Sequence, residues 1–189
     1  MSDQKSFWDQ LNEQIESLSE TLGLPADFLH DLVLEVDDDW SFIVKLHAVL
    51  EAAVNELMVT KLDKSVAEML TERLSLSFRM DILRVSGVIS KDDAQRMQTL
   101  GKLRNRLVHN VNQTNFELIA LVDTEGKRKD FGDSYIHPHW RPLLDKHKGH
   151  PEWMARYLLW FSVLQVVSIT KGEKQKAQIM TALDKVTST

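Results

Sequence analysis

The sequence predicts an all-α protein, an antiparallel bundle of five to seven helices. Apolar residues recur at spacings of three and four along most of the chain, the signature of amphipathic helices. Helix breakers are scarce, with 7 Gly and 4 Pro in 189 residues. The most apolar stretch, 153–169, is broken by Arg156 and Gln165 and falls short of the roughly 20 apolar residues of a membrane span. It reads as a helix buried in the middle of the bundle.

Phe7, Leu11, Ile15, Leu18 and Leu22 mark one face of a first helix, which Gly23 and Pro25 end. A short helix over about 26–36 follows. Asp37, Asp38 and Asp39 then offer an N-cap and place negative charge at the positive end of a helix over about 40–60. That helix carries Ile43, Leu46, Leu50, Ala53, Val54 and Leu57. The next covers about 65–86 with a break near Leu74, and Gly87 suits its closure with positive φ. Ser90 and Asp93 form a capping box that opens a helix through about 109. A polar break, Asn110 with 112–115, comes after it.

Phe116 to Val122 reads as a strand, with a turn at Glu125–Gly126 and a second short strand near 127–131, a small β-hairpin over 116–131. Residues 132–150 read as loop. Pro151 suits the first turn of a helix over 151–171, Gly172 ends it, and a last helix covers about 174–186. There is no internal repeat. Residues 1–39 read as an acidic helical arm packed on a helical domain over 40–189.

The charge is unevenly distributed. Residues 1–39 hold eleven acids and one Lys, so a protein of net charge −5 carries +5 over residues 40–189. Between Asp93 and Glu117 there is no acid, while Arg96, Lys102, Arg104 and Arg106 all fall there, a candidate basic patch. The absence of Cys excludes a disulfide framework, a thiol nucleophile and Cys-ligated metal, and fits a cytoplasmic setting. There is no Gly-rich phosphate loop, no Ser–His–acid signature and no hydrolytic carboxylate pair. The five Trp fall at helical positions or loop ends and read as core.

The segment with a chemical pattern is Leu100 to Asn110. Asn105 and His109, four residues apart, share a helix face, and Arg104 lies about 140° from His109 with a side chain long enough to swing toward it. Histidine can give or take a proton near neutrality. A guanidinium can hold a phosphate at two points and offset transition-state charge. Asn can orient the imidazole or donate to phosphate oxygen. Lys102, Arg104, Arg106 and His109 equally complement the negative end of a helix, so both roles stay open.

Arg104-Asn105-X3-His109 resembles the Arg-X4–6-His motif of the HEPN superfamily. The preceding segments resemble its mannitol-operon-repressor-like branch: 46–57 (LHAVLEAAVNEL), a further helix over 76–86, Gly87-Val88-Ile89-Ser90 and Lys91-Asp92-Asp93. The resemblance covers about 40–112. It implies a dimer in which two motifs meet in one cleft. Active members are metal-independent endoribonucleases, often toxins, which use the substrate's 2′-hydroxyl and leave a 2′,3′-cyclic phosphate. Others are inactive binding or regulatory modules. For this chain the resemblance implies Arg104, Asn105 and His109 as catalytic residues, and neither metal nor cofactor. Lys102, Arg106, Glu51 and His47 are expected to contact substrate, the last two as an i, i+4 pair facing the motif. Partners in prospect are a second copy, RNA, and an antitoxin or regulatory protein. A second Arg-X5-His match, Arg141 to His147, lacks the polar residue after Arg and sits by a Pro. His137, His139, His147 and His150 cluster within fourteen residues, but in a basic loop without helical pairing, which disfavours a metal.

Overall fold

The computed structural model describes residues 7–62, 64–110, 115–146 and 149–187. Among them are ten α-helices, one 3-10 turn and no strand. They are α1 (Phe7–Thr21), α2 (Phe28–Leu34), α3 (Asp39–Lys61), α4 (Lys64–Arg73), α5 (Leu76–Val85), α6 (Lys91–His109), α7 (Ile119–Val122), α8 (Glu125–Tyr135), α9 (Arg141–Lys146) and α10 (Pro151–Thr187). The all-α bundle is as the sequence predicts. The number beyond seven comes from short helices after residue 115.

Local chemistry sets the boundaries. Asp38 caps α3 by accepting from the Ser41 N–H at 2.7 Å. The chain breaks between α4 and α5 beside Leu74, where Ser75 caps α5. Gly87 takes φ +71°, and the Val88 N–H bonds back to the Leu83 carbonyl, closing α5 in a Schellman-type turn. Ser90 caps α6 by accepting from the Asp93 N–H at 3.0 Å, and its hydroxyl donates to the Asp93 carboxylate at 2.6 Å. Asp93 also accepts from Arg96 at 2.6 Å. Arg96 is buried by this pairing and leaves the basic patch.

The core sits between α3 and α10. Phe42, Ile43, Leu46, Leu50, Ala53, Val54 and Leu57 of α3 and Ala155, Leu158, Leu159, Trp160, Val163, Val166 and Val167 of α10 are all buried. By length and composition α10 could cross a membrane, but 61% of its apolar window is buried inside the protein. The register of this pair departs from simple antiparallel packing. Arg156 meets Asp39, Thr170 donates to the Ala53 carbonyl, and Lys174 meets Glu56, so the two helices run parallel. Antiparallel packing holds for α3 and α6, where Trp40 donates to the Leu107 carbonyl and His47 abuts Gly101. The end of α6, residues 115–122 and the start of α10 therefore gather at the start of α3.

Asp39 binds that end together. One oxygen accepts from the Leu118 N–H at 2.6 Å, and the other from Arg156 Nε and Nη2 at 3.1 and 2.6 Å. Arg156 Nη1 donates to the Val36 carbonyl at 2.6 Å. Its guanidinium also lies 5.0 Å from the Phe42 ring centre.

Three expectations fail. The 116–131 hairpin is helical: Leu118 and Val122, one turn apart, both face the core, and Thr124 caps α8 by accepting from the Lys127 N–H at 3.2 Å. Residues 132–150 are not simply loop, since α8 runs to Tyr135 and a 3-10 turn (Pro138–Trp140) leads into α9. Gly172 does not end α10. Glu173 pairs with Lys61, Lys174 with Glu56, and Lys171 donates to Ser17, so contacts flanking the glycine hold the helix through it.

Candidate functional site

A groove of about 340 Å³ lies between α3, α5 and α6. Its lining includes His47 and Glu51 from α3, Ser75, Leu76 and Ser77 at the start of α5, and Gly101, Lys102, Arg104 and Asn105 from α6. The i, i+4 spacing of His47 and Glu51 turns both toward α6. Gly101 faces His47: a Cβ there would stand 3.5 Å from His47 Nε2, in ordinary contact.

Glu51 is engaged from behind. Arg79 of α5, 3% exposed, donates to Glu51 Oε1 at 2.8 Å and to Asn55 Oδ1, which offsets the Glu51 charge. Lys102 and Arg104 have no carboxylate partner among the described residues. The one side-chain bond of Arg104 runs from Nη1 to Asn105 Oδ1 at 3.1 Å, and its Nε is buried without an acceptor. His47 is 7% exposed and has no hydrogen-bond partner among the described residues. Burial holds its pKa below the ordinary imidazole range. Arg104 adds to that effect, Glu51 opposes it, and Arg79 adds a smaller contribution.

Five of the seven expected site residues, His47, Glu51, Lys102, Arg104 and Asn105, are thus brought together. His109 is exposed and does not line this groove; it follows Asn105 by one turn of α6. Arg106 is exposed and does not line the groove; it lies near Tyr135 of α8, whose pKa burial raises and the Arg106 charge partly brings back. Sequence reasoning missed Arg79, Ser75, Ser77 and the contact of Gly101 with His47. A glycine inside a helical pattern was an available signal for the last. Arg79 gives no such signal, because its partners are 24 and 28 residues away.

The histidine cluster is dispersed. His137 accepts from the His139 N–H at 3.2 Å, and both line a groove with Trp140 and Phe161. His150 stands by Glu152, and His147 lies outside the described residues. Among the tryptophans, Trp160 is buried and donates to the Leu29 carbonyl at 2.8 Å, whereas Trp153 is half exposed.

No protein-family model matches the chain, and no curated protein matches it in sequence. In fold it is similar to a chain in the X-ray structure of the MtlR-HPr complex from Escherichia coli. The TM-score is 0.52 at 18% identity, over 82% of this chain and 98% of that one. At that identity the likeness shows the fold alone, and what the two chains share is an all-α helical bundle.

Proposed function

We propose that this protein is a non-catalytic, HEPN-like regulatory module that binds a protein partner, with the His47–Arg104 groove as part of its binding surface. The observation that carries the proposal is the division of the motif. Arg104 and Asn105 line the groove with a buried imidazole held toward its neutral form, whereas His109 stands outside it in solvent. A general acid–base must reach the same reacting atoms as the group that holds the phosphate. The likeness to a chain solved with the protein HPr supports a protein as partner.

The test is co-migration of purified chain with HPr from the same organism in size exclusion with light scattering. A complex is expected, weakened by Arg104→Ala. Absence of any complex, with cleavage of RNA that is lost in His109→Ala, would replace this proposal with the endoribonuclease one. What favours that second reading is the placement of Arg104, Asn105 and His109 within the last two turns of α6, with Asn105 and His109 exposed. It needs a homodimer that brings one His109 to the other groove. It also needs cleavage that is insensitive to chelator and blocked by 2′-deoxy substitution.

A further inference from the structure

We propose that the groove between α3, α5 and α6 is a binding site for a phosphate-type oxyanion carried on a larger molecule. The proposal rests on this groove being a binding site rather than a catalytic one.

Four features converge there. Lys102 and Arg104 supply two positive charges that no carboxylate of the described residues offsets, and Arg104 Nε is a buried donor without an acceptor. The one carboxylate in the lining, Glu51, is paired with the buried Arg79 at 2.8 Å. The first two residues of α5, Leu76 and Ser77, line the groove. Their N–H groups precede the first intrahelical bond, and they carry the positive end of a ten-residue helix. His47 is more than nine-tenths buried, has no hydrogen-bond partner among the described residues and lines the groove beside Gly101. Its ring nitrogens are not shut away as Arg104 Nε is but stay open to the groove, where an acceptor can reach them.

A tetrahedral oxyanion accepts from several directions at once and so suits donors arriving from three helices. Arg104 offers a two-point contact, Lys102 a point charge, the start of α5 its amides, and His47 a ring N–H. At about 340 Å³ the groove also has room for part of the molecule that bears the anion. The anion would favour the protonated imidazole against the burial and the Arg104 and Arg79 charges that now oppose it, with Glu51 assisting.

Titrating the whole protein with inorganic phosphate, and following histidine ring resonances by NMR, tests the site. His47→Gln identifies the His47 signal. A saturable shift of that signal is expected, with a rise in its pKa, reproduced by sulfate and not by chloride at equal ionic strength. Arg104→Gln should weaken it about tenfold. Gly101→Ala, which sets a methyl against Nε2 and suits a helix, should weaken it while the protein stays folded. Free phosphoserine and a phosphoserine peptide separate the sources: tighter binding of the peptide assigns the anion to a protein partner, tighter binding of the free compound to a small molecule. No saturable shift, or an equal one in Arg104→Gln or with chloride, overturns the site, as does RNA bound more tightly than any phosphomonoester with the His47 signal unmoved. HPr binding is scored separately, so loss of either proposal leaves the other measurable.

Discussion

Arg156 and Arg104 are both partly shielded guanidiniums on long helices, and their surroundings could hardly differ more. Arg156 spends its donors on Asp39 and the Val36 carbonyl and rests over Phe42. Among the described residues Arg104 reaches only its neighbour Asn105 and leaves Nε without an acceptor. A saturated guanidinium contributes to the fold. Among the described residues Arg79 and Arg128 also hold a buried Nε without an acceptor, but their Nη groups bond to Glu51, Asn55 and the Val122 carbonyl, whereas Arg104 bonds no more than Asn105 and keeps donors for a ligand beside His47.

The largest expected effect lies at the saturated end. Asp39→Ala strips a shielded arginine and the Leu118 N–H of their acceptor, and should cost about 3 kcal/mol in urea unfolding. A loss below about 1 kcal/mol would show that the end does not depend on this carboxylate. At the other end, Arg104→Ala should change stability by about 0.5 kcal/mol or less while weakening partner binding. A large loss of stability there would erase the contrast between the two arginines.

The next effect is one of pH. Because the folded chain holds His47 below the ordinary imidazole range, chiefly by burial, the unfolded chain protonates it first as pH falls. The contribution of this ring to stability is whole above about pH 6.5 and is lost as pH drops from there toward the folded value. Unfolding free energies measured across that interval should fall less steeply in His47→Gln than in the unaltered protein, and equal slopes would remove the claim. An effect of the opposite sign is expected at Gly172. It lies inside α10 with nothing within 4 Å of an added Cβ, so Gly172→Ala should raise stability by about 0.5–1 kcal/mol. Destabilisation would mean that α10 needs the glycine's backbone freedom.

The bundle was readable from the sequence because its signals are local. Every apolar position singled out in α3 is buried, and the caps at Asp38 and Ser90 and the turn at Gly87 lie within a few residues of what they stabilise. The hairpin error has a local cause too. Over seven residues, Phe116 to Val122 fits a strand as well as a helical turn, and the Thr124 cap starts α8 where the sequence suggests a turn at Glu125–Gly126. Half of the groove could be anticipated, since i, i+4 spacing joins His47 to Glu51 and sequence adjacency joins Arg104 to Asn105. The other half depends on α5 lying between them. No periodicity in the chain encodes the pairing of Arg79 with Glu51, or the arrival of the Ser75–Ser77 turn at Gly101.

The parallel course of α3 and α10 also shapes how the chain folds. The contacts that close the core, Asp39 with Arg156 and Ala53 with Thr170, each join residues 117 apart. Helix α3 can form as soon as it is synthesised, but its apolar face stays open until α10 arrives, with the whole of α4 to α9 made in between. Closing so long a loop costs conformational entropy before any of the core repays it. Docking of α10 can begin only once α4 to α9 have been made, and until then the side of α3 that α10 covers, Phe42 included, stays open, the interval in which a chaperone has the most to hold.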